Sequence, residues 1–257
     1  MIIGFFDSGI GGVTVLKRAL ELTPDAEYIY YADTKNVPYG VKEKHEVMNC
    51  VSEAFNFLAN KGIGLAVIAC NTATSVAVAE LRKRYTFPII GMEPAIKPAI
   101  TSNSGKRILV LATSLTLRES KLEELISSLD KTQRIRKLAL DELVMRAERF
   151  DFDSDKVVHY IKNKLSGIDF NEYETIVLGC THFIYYSKII QETAGRHISV
   201  IDGNEGTARN MLRVIKEKIS APDINYRKGQ ITFYSSGVED PPERINKLLA
   251  ILKPEKG

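Results

Sequence analysis

Residues 65–74 read LAVIACNTAT and residues 175–183 read TIVLGCTHF. In each, an apolar run ends on a cysteine, Cys70 or Cys180, and a helix-opening polar stretch follows. An unbroken apolar run marks a strand buried on both faces, the habit of a parallel sheet covered by helices. The chain around them keeps this grammar. Ile2–Phe6 is a strand, closed by the turn Asp7-Ser8-Gly9-Ile10-Gly11-Gly12 and followed by a helical stripe over Val13–Leu22. Strands follow at Glu27–Ala32, Leu65–Ala69 and Pro88–Met92, with helices at His45–Asn60 and Ser75–Tyr85 and from Pro94 to Ile100. The second half offers strands at Arg107–Ala112, Arg134–Leu140, Thr175–Gly179 and His197–Ile201. Its helices fall at 117–129, Asp155–Leu165 and Phe183–Thr193.

The halves match one another. IIGFFDS pairs with RILVLATS, LAVIACNTAT with TIVLGCTHF and FPIIGME with ISVIDGN, all at offsets near the 110 residues between Cys70 and Cys180 (180 − 70 = 110). The expected fold is therefore α/β: two pseudo-symmetric domains, each a mainly parallel sheet flanked by helices, with a cleft between them. The tail reads as a helix (Glu205–Ile219), a strand (Gln230–Tyr234) and a helix (Glu243–Leu252), and is expected to return to the first domain. That places residues 1–93 and 206–257 in one domain and 94–205 in the other.

The bulk numbers exclude more than they assign. The 257 residues carry 35 basic and 32 acidic side chains, too even a balance for a nucleic-acid-binding face. No apolar run reaches the roughly 20 residues that span a bilayer, and MIIGFFDSG is no signal peptide, so a cytoplasmic protein is expected. Three cysteines make a poor disulfide framework. Cys50 falls mid-helix and reads as structural.

Cys70 and Cys180 sit where ligands bind in open α/β sheets, outside the carboxyl ends of strands. A helix N-terminus there favours the thiolate, so a thiol of pKa about 8.5 becomes a usable base near neutral pH. Two equivalent thiols facing one another suit a reaction that takes a proton from one face of a carbon and returns it to the other. Asp7 is placed to assist Cys70 and hold an ammonium group, Ser8 to bind a carboxylate, and His182 to assist Cys180. Gly9, Gly11 and Gly12 do not complete a dinucleotide fingerprint, because Thr14 stands where the third glycine belongs. Without tight C-x2-C spacing, zinc is not expected.

Phe6–Gly12, Ala32-Asp33 with Val37-Pro38-Tyr39-Gly40, Ala69–Ala73 and Gly179–His182 together resemble the signatures of the glutamate racemases, in order and spacing, over nearly the whole chain. The resemblance implies a cofactor-independent racemase of glutamate, with neither metal nor pyridoxal phosphate, acting in the cytoplasm as a homodimer. Its D-glutamate would enter peptidoglycan synthesis. It implies Cys70 acting on D-glutamate and Cys180 on L-glutamate, assisted by Asp7 and His182. The implied substrate-binding set is Asp7, Ser8, Pro38, Tyr39, Gly40, Asn71, Thr72, Thr74, Thr181 and His182, with Glu148 as an accessory residue. Two stretches depart from the family pattern. Phe183-Ile184 stand where Tyr-Pro is usual, and LALDELVMRAERF (138–150) lacks the usual cysteine and proline. A racemase of another acidic amino acid such as aspartate, or an impaired amino-acid-binding relative, are the alternatives.

Overall fold

The computed structural model describes residues 1–102, 104–218 and 230–252. The described strands form two sheets. The first holds β1 (Ile2–Asp7), β2 (Glu27–Ala32), β3 (Ile63–Ile68), β4 (Ile89–Gly91), β9 (Ile231–Ser235) and β10 (Val238–Glu239). The second holds β5 (Arg107–Ala112), β6 (Ile135–Ala139), β7 (Tyr173–Leu178) and β8 (Ser199–Asp202). Spatial order is β10-β9-β2-β1-β3-β4 in one and β6-β5-β7-β8 in the other. All pairings are parallel except the β9–β10 hairpin.

The two sheets repeat one unit. The order β2-β1-β3-β4 maps onto β6-β5-β7-β8, and each central strand carries a register shift at its start, between Ile2 and Ile3 and between Arg107 and Ile108. Phe6 lies beside Ile68 and Leu111 beside Leu178, which differ by the same 110 residues as the cysteines (178 − 68 = 110). The strand from the tail, β9, lies between β2 and the edge strand β10 of the first sheet.

Strand alternation divides the side chains between two covered faces. Ile3, Phe5, Tyr28, Tyr30, Leu65 and Val67 face one way, onto α1 (Val13–Leu22), α10 (Asn204–Lys218) and α11 (Pro242–Leu252). Phe6, Ile29, Tyr31, Ala66 and Ile68 face the other, onto α2 (Lys44–Asn60) and α3 (Asn71–Arg84). In the second sheet Leu109, Leu111, Ile176 and Leu178 pack on α7 (Glu142–Glu148), α8 (Asp155–Leu165) and α9 (Ser187–Ala194). Ile108, Val110 and Val177 pack on α4 (Ile96–Thr101) and α6 (Ser120–Leu129). Among the described residues no helix is long and apolar enough to cross a membrane.

Several local expectations change. The helix expected over 117–129 is two, α5 (Ser114–Arg118) and α6, because Glu119 between them is extended and its buried carboxylate reaches Lys44 at 2.7 Å. The segment after Cys180 is a 3₁₀ turn over Thr181–Tyr186 before α9 begins, so Phe183 does not open a regular helix. The divergent 138–150 stretch holds α7, and the helix expected from Ser75 starts four residues earlier, on Asn71. The expected end of the 205–219 helix, Ile219, lies outside the described residues.

The halves touch where β8 turns into α10. There Thr207 Oγ1 accepts from the Glu93 amide at 2.9 Å, and a Cβ added to Gly203 would stand 2.0 Å from the Glu93 carbonyl oxygen. Backbone cannot retreat as a side chain can. Gly203→Ala is therefore expected to cost about 2 kcal/mol by overpacking, read as a lowered denaturation midpoint. An unchanged midpoint would show that this junction gives way freely.

Candidate active site

The carboxyl ends of β1, β3 and β7 converge. Asp7 ends β1, Cys70 caps the N-terminus of α3, and Cys180 precedes the 3₁₀ turn. Cys70 and Cys180 line one enclosed cavity with Ser8, Tyr39, Gly40, Asn71, Thr72, Thr113, Val144, Thr181 and His182. Its free volume is about 10 Å³, room for about one water. The two thiols thus face a common space, too small as it stands for a molecule of amino-acid size.

On the first half, the Cys70 thiol donates to Ser8 Oγ at 3.8 Å, and Ser8 Oγ donates to Asp7 Oδ1 at 3.3 Å. This chain of donors leads from sulfur to carboxylate. Asp7 is fully buried, and also accepts from the Gly9 amide (2.8 Å) and from Thr181 Oγ1 across the cleft (3.0 Å). Burial raises its pKa to about 6, against the opposing pull of His182. Burial, with the Asp7 charge added, also pushes the Cys70 thiol well above the usual range. The helix N-terminus does help, since the Ala73 amide donates to the sulfur at 3.4 Å, but desolvation outweighs it. The expectation of a thiolate favoured by the helix dipole is thus reversed at Cys70, which is held as a neutral acid.

On the second half, Cys180 meets a 3₁₀ turn whose amides make no bond to its sulfur. Its partner is His182, with Nδ1 at 3.9 Å from the sulfur. His182 Nε2 lies 2.7 Å from Glu148 Oε1, which also accepts from the Ile10 amide at 2.7 Å. Burial would lower the imidazole pKa, but the bonds to Cys180 and Glu148 and the charge of Asp7 outweigh it, and His182 is held well above its usual value. A charged imidazolium thus stands beside the Cys180 sulfur. Glu148 fits so closely that a Cβ on Gly9 would stand 1.8 Å from its Oε1. That contact explains a glycine at 9 better than the turn alone.

The Tyr39-Gly40 loop closes a side of the cavity. Asp33 anchors it, accepting from Tyr39 Oη (2.6 Å), from Asn36 Nδ2 (3.0 Å) and from Ser236 Oγ (3.0 Å). Three expected binding residues stand off the cavity lining, the first being Asp7, which is tied to it only through its bonds with Ser8 and Thr181. Pro38 does not line the cavity. Thr74 also lies off it, because its hydroxyl is engaged by the Ile68 carbonyl (3.2 Å) and the Met92 amide (3.0 Å). Thr113 and Val144 line the cavity and were not expected. Thr113 was findable: with Cys70 aligned to Cys180, the strand register puts Thr113 opposite Ser8 and Ala112 opposite Asp7. Among the described residues no three His, Cys, Asp or Glu side chains converge to hold a metal ion.

Because Glu148 supplies part of what keeps His182 charged, Glu148→Gln is expected to lower the His182 pKa. A titration of the imidazole by NMR measures it, and an unmoved value would remove Glu148 from that role.

The sequence profile of the Asp/Glu/Hydantoin racemase family matches residues 12–211. The glutamate racemase of Halothermothrix orenii is 49% identical over 253 residues, spanning 98% of this chain and 99% of that protein. Glutamate racemase 2 of Bacillus subtilis is 47% identical over 239 residues, 92% of this chain and 89% of that protein. Among solved structures, Escherichia coli glutamate racemase in complex with L-glutamate and the activator UDP-MurNAc-ala superposes with a TM-score of 0.84 at 28% identity, covering 98% of this chain and 94% of that one. With the paired strand ends and their two thiols already in place, these likenesses show that the chain belongs to the Asp/Glu/hydantoin racemase family.

Proposed function

We propose that this chain interconverts L-glutamate and D-glutamate without a cofactor, Cys180 working on one face of Cα and Cys70 on the other. The observation that carries the reading is the single cavity lined by two thiols from equivalent strand ends. Two acid–base groups on opposite walls invert a carbon without turning the substrate over. The glutamate racemases of H. orenii and B. subtilis, and the E. coli enzyme solved with L-glutamate, support glutamate as the substrate.

From L-glutamate, the Cys180 sulfur, as thiolate beside the His182 imidazolium, takes the Cα proton. The electron pair passes into the α-carboxylate as an enolate-like carbanion. Cys70, kept protonated by burial and by Asp7, then gives its proton to the opposite face, leaving D-glutamate. In reverse, Cys70 must first lose its proton, and the path through Ser8 to Asp7 provides for that. Asn71, Thr72, Thr181 and the N-terminus of α3 face the developing charge, and hydrogen-bond donors fixed in advance are worth most in such a closed site. Tyr39, Gly40 and Ser8 hold the substrate in place; Thr74 has no part, its hydroxyl being engaged elsewhere.

Racemisation followed by circular dichroism of glutamate tests the central claim. Cys70→Ala and Cys180→Ala are each expected to lose all measurable turnover, and near-wild-type turnover in either would sink the two-thiol reading. Exchange of the Cα hydrogen for deuterium across a panel of amino acids is expected to single out glutamate; preferential exchange into aspartate would move the chain to another acidic substrate.

The pH dependence follows from Asp7. With its pKa raised to about 6, it is ionised at neutral pH and takes up a proton as pH falls through about 6. Its charge, and the acceptor at the end of the Cys70 path, are lost together. The expected kcat/KM therefore declines below about pH 6, and Asp7→Asn lowers activity and removes that limb. A variant that keeps the acid limb would assign it to another group.

A further inference from the structure

Thr72, Thr113 and Thr116 make a closed triangle of buried hydroxyls. Their Oγ1 atoms are 3.0 Å apart between 72 and 113, 2.9 Å between 72 and 116 and 2.9 Å between 113 and 116. Thr72 comes from α3 in the first half; Thr113 caps α5 and Thr116 lies within it, in the second. Thr72 and Thr113 line the cavity between the thiols. Thr116 does not line that cavity and borders a separate one.

Each hydroxyl has one hydrogen to give. Three edges need three hydrogens, so the ring is satisfied when every hydroxyl donates to the next. Thr113 Oγ1 also takes the backbone amide of Thr116 at 3.4 Å, a further tie between these two residues. An anionic carboxylate entering the cavity changes the accounting. If Thr72 and Thr113 both turn their hydrogens to it, their oxygens face one another at 3.0 Å with no hydrogen between them. Thr116, 2.9 Å from both, can donate its own hydrogen to the two oxygens together, as a three-centre bond. Without it, one of the pair must donate to the other, and only one prong is left for the carboxylate.

We propose that Thr116 is a positioning residue: it never touches the substrate, but its hydroxyl hydrogen frees both Thr72 and Thr113 to grip a substrate carboxylate. The inference rests on the glutamate reading given above. It locates the effect in binding, not in proton transfer, because the thiols and their helpers lie outside the triangle. Enantiomers share their carboxylates and are equal in free energy, so both directions suffer alike.

The test uses the full-length enzyme with glutamate of either hand. Thr116→Val keeps the shape and removes the hydroxyl. It is expected to raise KM about tenfold or more in both directions, the scale of a hydrogen bond to a charged group, with kcat within about threefold of wild type. Thr116→Ser, which restores only the hydroxyl, is expected to return KM to within about threefold. A valine variant whose KM moves less than about threefold overturns the proposal. So does one whose loss lies in kcat, and so does a serine variant that fails to restore KM, since volume would then be the cause. If the valine variant does not fold, as judged by its thermal transition, Thr116→Ala is held to the same criteria. A wild-type enzyme that leaves glutamate unchanged would instead overturn the reading of substrate and reaction on which the proposal rests.

Discussion

One carboxylate oxygen ties the two halves together at the site. Glu148 Oε1, at the end of α7, accepts from the Ile10 amide in the glycine turn after β1 and from the imidazole of His182 after β7. The first bond fixes where the turn crosses the cleft; the second fixes the ring that faces Cys180. Mostly buried, the carboxylate needs both partners, since an unpaired charge in such surroundings costs several kcal/mol. The Ile10 carbonyl, in turn, accepts from Tyr185 Oη at 2.7 Å, so a single residue of the first half is held through both its amide and its carbonyl by the second. Thr181 bonded to Asp7 adds another strut. The contacts that join the halves are thus the same ones that position the acid–base groups.

The same packing makes the two thiols unequal. They stand at matching strand ends, yet Cys70 is surrounded by neutral or negative groups and Cys180 faces a group held positive. Duplication accounts for the opposition of the thiols across a shared cavity. Divergence after duplication accounts for the difference in charge: where the first half has Asp7 and Ser8, the second has Ala112 and Thr113, and where the second has His182 the first has Thr72. An enzyme acting on two mirror-image substrates therefore uses walls that are related by fold and not by chemistry.

What the sequence by itself determined is the architecture and the thiols. Long apolar runs that end in polar helix openers leave little choice but a parallel sheet, and the offset of 110 residues between matching runs foretells two copies of it. Cys70, Cys180, Ser8, Tyr39, Gly40, Asn71, Thr72, Thr181 and His182 could be named because they follow strands or fall in recognisable turns, and the structure brings them to one cavity. Thr74 looked the same in the sequence, but a helical residue's direction depends on which face the helix buries, and that face carries Thr74 to β4.

Only the tertiary structure decided the state of each group. A thiol beside a helix N-terminus reads as a base from sequence; burial, which no local pattern reveals, makes Cys70 an acid. The link from Glu148 to Ile10 joins residues 138 positions apart, and the hydroxyl triangle joins residues 41 and 44 apart, across an interface between the halves. Hydrogen bonds of that kind depend on a fit to within a few tenths of an ångström between surfaces distant in the sequence. Periodicity and turn chemistry report on neighbours along the chain; desolvation and cross-cleft contact arise only when the two copies close on one another.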